Sequence, residues 1–486
     1  MNPIDLALAL GLLLVMYSTG FVGVSFFSRD HGPVFTAIMA LPLGLGLWSV
    51  LWIAAVLFPL PHNFGFASTA NQAAVALYVG IMVILLGVAV WQDFLNKANL
   101  TWWLVGAVIL VLYSWLYFQF SGKTHLTGDS HLFINWAMDP FEQMQYGFPL
   151  ISSSWTNLAT LIGADQLLGV VYPLVGFSLA MLLYFAVFDF APQKSPEDAT
   201  PLHIIGMVTF LLTSILVFSE MFLVQMHYIN NHSFMALVLL AIAFLLFLAP
   251  CLDWPHAMLI AFLVLLASMT RMEGFLYALM LVVMGVFARQ DKAEGLRVLS
   301  ASLLLAGPYL IFLSITFGDA GFIKGWQYLV MISGGVLAVL ILATPLRQYF
   351  MAPRLHLLVL GFLLVATVLA IVIKPGHMFT SLYAFLYNTG NPKYWGLSSL
   401  GSLVLIAMLI LVRYQRGQMW RQTDALLVWV LSAVLLSFVV TIFRSPLRVG
   451  IDDSVNRMLF HFLPILMVWL GVEITRALRP VHHAQS

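Results

Sequence analysis

The feature that most constrains this chain is a succession of apolar runs, each about as long as a hydrocarbon layer is thick. A helix needs roughly 20 mostly apolar residues to cross a bilayer. Such runs lie near 4–27, 34–60, 73–92, 101–120, 162–188, 203–219, 233–249, 257–288, 296–317, 327–343, 355–373, 397–412, 425–443 and 458–475. The run 257–288 is interrupted by Arg271-Met272-Glu273-Gly274, so it counts as one helix or two, and the total is 14 or 15. Apolar residues make up 62% of the 486 and charged residues 8%, against about 25% charged in a soluble domain. No soluble fold of this size hides so much apolar side chain, so the expected solvent is lipid. The predicted fold is an all-α polytopic membrane protein with about 14 transmembrane helices.

The first run, Ile4 to Phe27, has no basic segment before it and is too long for the core of a signal peptide, so it reads as a retained helix. The single cysteine, Cys251, allows no internal disulfide and reads as a small apolar residue near a helix end. A net charge of +1 argues against a nucleic-acid partner, because phosphate backbones need a basic surface. The longest polar interval is 121–163; connectors such as Ala191–Pro201 are rich in turn residues, and no internal repeat is evident.

Lysine and arginine set the orientation. With the C-terminus in the cytoplasm and 257–288 taken as two short helices, the 21 basic residues divide 13 to 8. The inner loops hold Arg29, Lys97, Lys194, Arg289, Lys292, Arg297, Arg347, Arg354, Arg413, Arg416, Arg421, Arg476 and Arg479. The outer side holds Lys123, Arg271, Lys324, Lys374, Lys393, Arg444, Arg448 and Arg457. The loop 121–163 then faces away from the cytoplasm, and the expected location is a plasma or inner membrane.

Four segments are too polar for this setting. The first opens Lys123-Thr-His-Leu-Thr-Gly-Asp-Ser-His131 and continues to about Leu150. Apolar residues at 132, 133, 136, 137, 141 and 144 fall on one helical stripe, with Asn135, Asp139, Glu142 and Gln143 opposite. That pattern predicts an amphipathic helix over about 131–146 lying in the membrane interface. Gly128 permits a tight turn that presents the Asp129 carboxylate at the surface; the alternative is an ordinary Asp-Ser helix cap. The second segment, Glu220 to His232, carries Gln225, His227, Asn230, Asn231 and His232. Two histidines five residues apart are a weak metal signal beside simple interfacial hydrogen bonding.

The third segment is Thr270-Arg271-Met272-Glu273-Gly274. Charges at that depth cost about 2.5–3.5 kcal/mol each on insertion scales and point to function, or to a self-compensating pair that only holds the bundle together. The fourth runs from Arg444 through Arg448, Asp452 and Asp453 to Arg457 and His461. Three arginines near one membrane face suit a phosphate or pyrophosphate, which guanidinium grips in a fork. Arg457 and His461, four apart, share a helix face. The alternative is a solvated turn with Arg–Asp pairs, and Asp452-Asp453 alone are poor evidence for a metal.

Gly128-Asp129-Ser130, Thr270-Arg271-Met272-Glu273-Gly274 and Arg457-Met-Leu-Phe-His-Phe-Leu-Pro464 together resemble the GT-C superfamily of integral membrane glycosyltransferases. The resemblance covers about residues 101–475. It makes 1–100 an N-terminal addition of extra helices, 101–475 the family module and 476–486 a short cytoplasmic tail. It implies a polyprenyl-phosphate-sugar donor and a lipid, glycan or protein acceptor. It implies inverting transfer on the non-cytoplasmic side. Asp129 is then the general base, and Arg271, Glu273, Arg448, Arg457, His461 and His131 hold the substrate and its phosphate. Two departures stand out. Family members place the acid after their first helix, whereas three further runs precede it here. The loop also has a single Asp129, with Asp139 ten residues away, which supplies no clear ligand set for a divalent cation, so no cofactor is expected.

The competing reading is a transporter or flippase of a lipid-linked or small substrate, which also carries many helices and a few buried charges. It should show paired halves broken at corresponding places, and the sequence shows no such symmetry. A non-catalytic membrane scaffold fits poorly with polar residues gathered on one side.

Overall fold

The computed structural model describes residues 3–28, 31–57, 66–91, 97–120, 151–161, 166–190, 202–227, 231–271, 273–289, 291–316, 325–350, 354–391, 394–395, 397–415, 420–442, 445–450 and 454–478. Among them the regular structure is entirely helical. In chain order the helices are α1 (Pro3–Phe27), α2 (Gly32–Leu57), α3 (Phe66–Trp91), α4 (Lys97–Phe120), α5 (Ile151–Leu161), α6 (Gln166–Phe190), α7 (Leu202–Val217), α8 (Glu220–His227) and α9 (His232–Leu248). They continue as α10 (Trp254–Thr270), α11 (Gly274–Arg289), α12 (Lys292–Thr316), α13 (Gly325–Ala343), α14 (Arg354–Ile373), α15 (Pro375–Gly390), α16 (Leu397–Gln415), α17 (Asp424–Val440) and α18 (Ser454–Ala477). A 3-10 turn, Pro345–Tyr349, follows α13.

Every apolar run of the sequence carries a helix, and 257–288 divides at its charges into α10 and α11. Among the described residues nine helices are long and apolar enough to cross a membrane: α1 to α4, α6, α12, α13, α14 and α18. The pair α7 and α8 qualifies together but bends by 69° at its break. Five others, from α9, α10, α11, α16 and α17, are apolar but only 10–17 residues long, so the expected count of about 14 exceeds what length alone supports. Large apolar side chains such as Phe362, Val365 and Val372 on α14 are exposed. On a water-soluble monomer a patch of that extent is rare, and against acyl chains it costs nothing. The chain is an all-helical, multi-pass membrane protein.

One contiguous core runs from Ala9 to Val472 and includes α9, which is buried on all sides. Two ends of the bundle are defined by polar contacts. At one, the arginine end, Arg289 at the close of α11 donates to the carbonyls of Leu246 at 3.1 Å and Ala249 at 2.8 Å, the final acceptors of α9. Such bonds satisfy carbonyls that a helix C-terminus leaves open. There too Arg413 grips Asp424 through two bonds of 2.6 and 2.8 Å. Glu473 accepts from Arg421 at 2.9 Å and Arg476 at 2.7 Å. These ties lock the α16, α17 and α18 ends together.

At the opposite, histidine end lie the start of α9, the α10–α11 junction and the start of α18. Helix α5 is the least expected element here. Its ISSSWTNLATL sequence is polar, yet Ser152, Ser153, Ser154, Thr156 and Asn157 are all buried. Hydrogen bonds account for this. Trp48 Nε1 of α2 donates to Ser154 O at 2.8 Å, and Ser154 Oγ donates to Ser49 Oγ at 2.8 Å. Trp155 Nε1 reaches the same Ser49 at 3.0 Å, and Asn71, which accepts from Trp52 Nε1 at 2.7 Å, donates from Nδ2 to Asn157 Oδ1 at 3.5 Å. Buried polar groups are tolerated when they are paired in this way.

Candidate functional site

The described residues that the sequence singles out gather at the histidine end, where three separate stretches of chain meet. Helix α10 stops at Thr270 because Arg271 turns to extended backbone, with φ −144° and ψ 148°. Gly274 lets α11 begin tight against the end of α10: a Cβ there would lie 1.9 Å from the Ala267 carbonyl oxygen. The Arg271 guanidinium is folded back over the junction. Its Nη2 and Nε donate to Glu273 Oε1 at 2.9 and 3.2 Å. Its Nη1 meets His232 Nε2, on the first turn of α9, at 3.2 Å. His232 Nδ1 in turn lies 2.9 Å from His461 Nε2 on α18, with the two rings stacked 5.0 Å apart.

The chain of contacts thus runs Glu273, Arg271, His232, His461 across three helices. His232 and His461 are completely buried and Glu273 is nearly so. Arg457, one turn before His461, lies close enough for its charge to act on His232. Asn231 extends the cluster on the other side. Its Nδ2 donates to Ser152 Oγ at 3.4 Å and to the Thr270 carbonyl at 3.5 Å, tying α5 and α10 to the start of α9. Among the buried atoms of this cluster that make no hydrogen bond among the described residues are His461 Nδ1 and Asn231 Oδ1.

Beside it, the stretch 445–450 is threaded between α15 and α18. Leu447 N donates to Ser381 Oγ at 3.0 Å and Asn388 Nδ2 to the Arg448 carbonyl at 3.0 Å. Asn456 joins this to Trp395 through a 3.0 Å bond from the indole and a 2.8 Å bond to the Gly450 carbonyl. Gly450 has φ 143°, a conformation that favours glycine.

Of the residues that sequence singled out, Arg271, Glu273 and His461 are therefore joined, with Arg457 within electrostatic reach. Arg448 sits on the adjoining stretch with its side chain exposed. Asp129, His131, the expected interfacial helix over 131–146, Arg444, Asp452 and Asp453 lie outside the described residues. A helix combining a packed face with a bare aromatic one does occur at the histidine end, at α15. Its Phe379, Tyr383 and Tyr387 are exposed while Ser381, Ala384 and Asn388 are buried.

Sequence reading passed over His232 as a partner of His461, having weighed it only with His227. The signal was present, because Asn231-His232 places two polar residues at the mouth of an otherwise apolar helix. No group of three metal-ligating side chains occurs among the described residues. One cluster, then, distinguishes this end: a guanidinium–carboxylate pair joined to a pair of imidazoles, with a second arginine beside them. Comparison with protein-family models, curated proteins and solved structures gives no match for the chain.

Proposed function

We propose that the chain is a membrane glycosyltransferase of GT-C type that moves a sugar from a polyprenyl-phosphate donor to a lipid, glycan or protein acceptor. The observation that carries this reading is the junction of Arg271, Glu273, His232 and His461, with Arg457 beside it, at one end of the bundle. Buried ionisable groups in a membrane are expensive and are kept where a substrate needs them. Arginines and a neutral histidine suit a phosphate head whose lipid tail stays between helices.

In this reading the histidine end faces away from the cytoplasm and the arginine end faces it. The nine long spans, the bent α7–α8 pair and the shorter apolar helices together make the 14 or 15 crossings, with the module over 101–475. Asp129 takes the proton of an acceptor hydroxyl. The hydroxyl oxygen attacks the anomeric carbon, the bond from that carbon to the phosphate oxygen breaks, and the lipid phosphate leaves with the electron pair. Arg271, Arg448, Arg457, His461 and His131 stabilise its charge as it develops, and Glu273 holds Arg271 in place.

The test is transfer by purified protein in detergent. An amide cannot act as a base at working pH, so Asp129→Asn should lose about 10²–10⁴-fold in turnover. Near-normal turnover by Asp129→Asn would remove Asp129 from the mechanism. The 69° break between α7 and α8 is the one observation that favours a transporter. Substrate counterflow in liposomes without transfer from any donor would establish that reading instead.

A further inference from the structure

We propose that His461 donates its Nδ1–H to an oxygen of the substrate phosphate. Arg271 and His232 act through it, by fixing which of its nitrogens carries the proton. The inference rests on the donor class proposed above and adds an atom-level assignment to it.

The argument is one of donors and acceptors. A guanidinium can only donate, so Arg271 Nη1 at 3.2 Å from His232 Nε2 requires a lone pair on that nitrogen. The proton of neutral His232 must then sit on Nδ1. That atom is 2.9 Å from His461 Nε2, and two N–H groups cannot face each other at this distance. His461 Nε2 is therefore the acceptor, and its own proton lies on Nδ1. This last N–H belongs to a fully buried residue and has no acceptor among the described residues. Such orphaned donors are rare in folded proteins. Two arginines stand against one carboxylate around the imidazole pair: Arg271 and Arg457 both act on His232 electrostatically, while Arg271 and Glu273 act on His461 with opposite sign. An anionic oxygen is the acceptor that this surrounding favours. His232 never touches the ligand in this scheme and is a positioning residue.

The side chains of asparagine and glutamine separate the two imidazole nitrogens, because the Asn amide reaches the place of Nδ1 and the Gln amide that of Nε2. The measurement uses the full chain with ¹⁵N-labelled histidine in lipid nanodiscs, titrated with farnesyl phosphate or with farnesol. His461→Gln identifies the resonance. The expected spectrum has His461 protonated on Nδ1, with that signal moved by farnesyl phosphate and not by farnesol. His232→Leu should weaken farnesyl phosphate binding about tenfold, and His232→Asn, which restores a donor toward His461, should recover most of it. His461→Asn should bind better than His461→Gln. A proton on Nε2 of His461 overturns the inference, as does equal binding by His232→Leu and wild type. An Nδ1 signal indifferent to farnesyl phosphate also overturns it. If that indifferent protein still transfers sugar, the assignment fails and the proposed function stands; if it transfers none, both fail.

Discussion

At the scale of single residues, the site turns on how one carboxylate offsets one guanidinium. Glu273 is the counter-charge that Arg271 touches, and both are mostly removed from solvent. Taking away one partner of such a pair leaves a charge without compensation, whereas removing both together is milder. Glu273→Gln is expected to destabilise the folded protein by about 2 kcal/mol. The double replacement Arg271→Leu with Glu273→Leu should cost less than the two single changes added. Thermal unfolding in detergent measures both, and strict additivity would mean that the pair is not coupled.

A second residue-scale prediction concerns the arginine end. His31 precedes α2 and stands 5.4 Å, ring to ring, from His256. Burial, then the charge of His256, pushes the His31 pKa down from its ordinary 6.5 to about 4. Between those values the unfolded chain binds a proton that the folded one refuses, so stability falls as pH drops from about 6.5 towards 4. His31→Gln should flatten that part of the melting-temperature profile, and an unchanged slope would place the acid sensitivity elsewhere. The Arg271–Glu273 pair was legible from sequence because charges stand out in an apolar run. The imidazole contact was not, since His232 and His461 are 229 positions apart and nothing local couples them.

At the scale of elements, the length of each apolar run located the apolar helices, because a segment within lipid must be apolar and satisfy its backbone internally. It missed α5, α8 and α15. Helix α5 is buried through hydrogen bonds to Trp48, Ser49 and Asn231, so its burial depends on partners and leaves no mark in its own hydropathy. Helix α15 is too short and too polar to register as a span. Packing between helices depends instead on single small residues. A Cβ at Gly44 of α2 would meet the Met16 carbonyl oxygen of α1 at 1.9 Å, while one at Gly80 of α3 would meet nothing within 4 Å. Close backbone approach through small residues is a common way for membrane helices to associate. Gly44→Ala should therefore destabilise by about 2–3 kcal/mol through overpacking. Gly80→Ala should be neutral or gain up to about 1 kcal/mol from helix propensity. Similar melting temperatures for the two variants would mean that α1 and α2 separate without cost.

At the scale of the whole molecule, the proposed orientation follows from the division of basic residues and can be read with few substitutions. Cys251 is the only cysteine and is exposed at the arginine end. A membrane-impermeant maleimide should reach it from the cytoplasmic side alone. In a Cys251→Ser background, Ser445→Cys on the exposed stretch at the histidine end should react from the opposite side. Labelling of both from one side would contradict the topology.

The central claim is that the histidine end handles a polyprenyl-phosphate sugar, and the most direct measurement is sugar transfer by purified protein from a panel of such donors. The account predicts turnover by the wild type. Arg271→Leu should lose it by at least tenfold, the loss of one charge-assisted contact, while Arg413→Gln at the far end, if folded, should keep it. Absence of transfer from every donor by folded wild-type protein, or equal activity in Arg271→Leu, would contradict the claim.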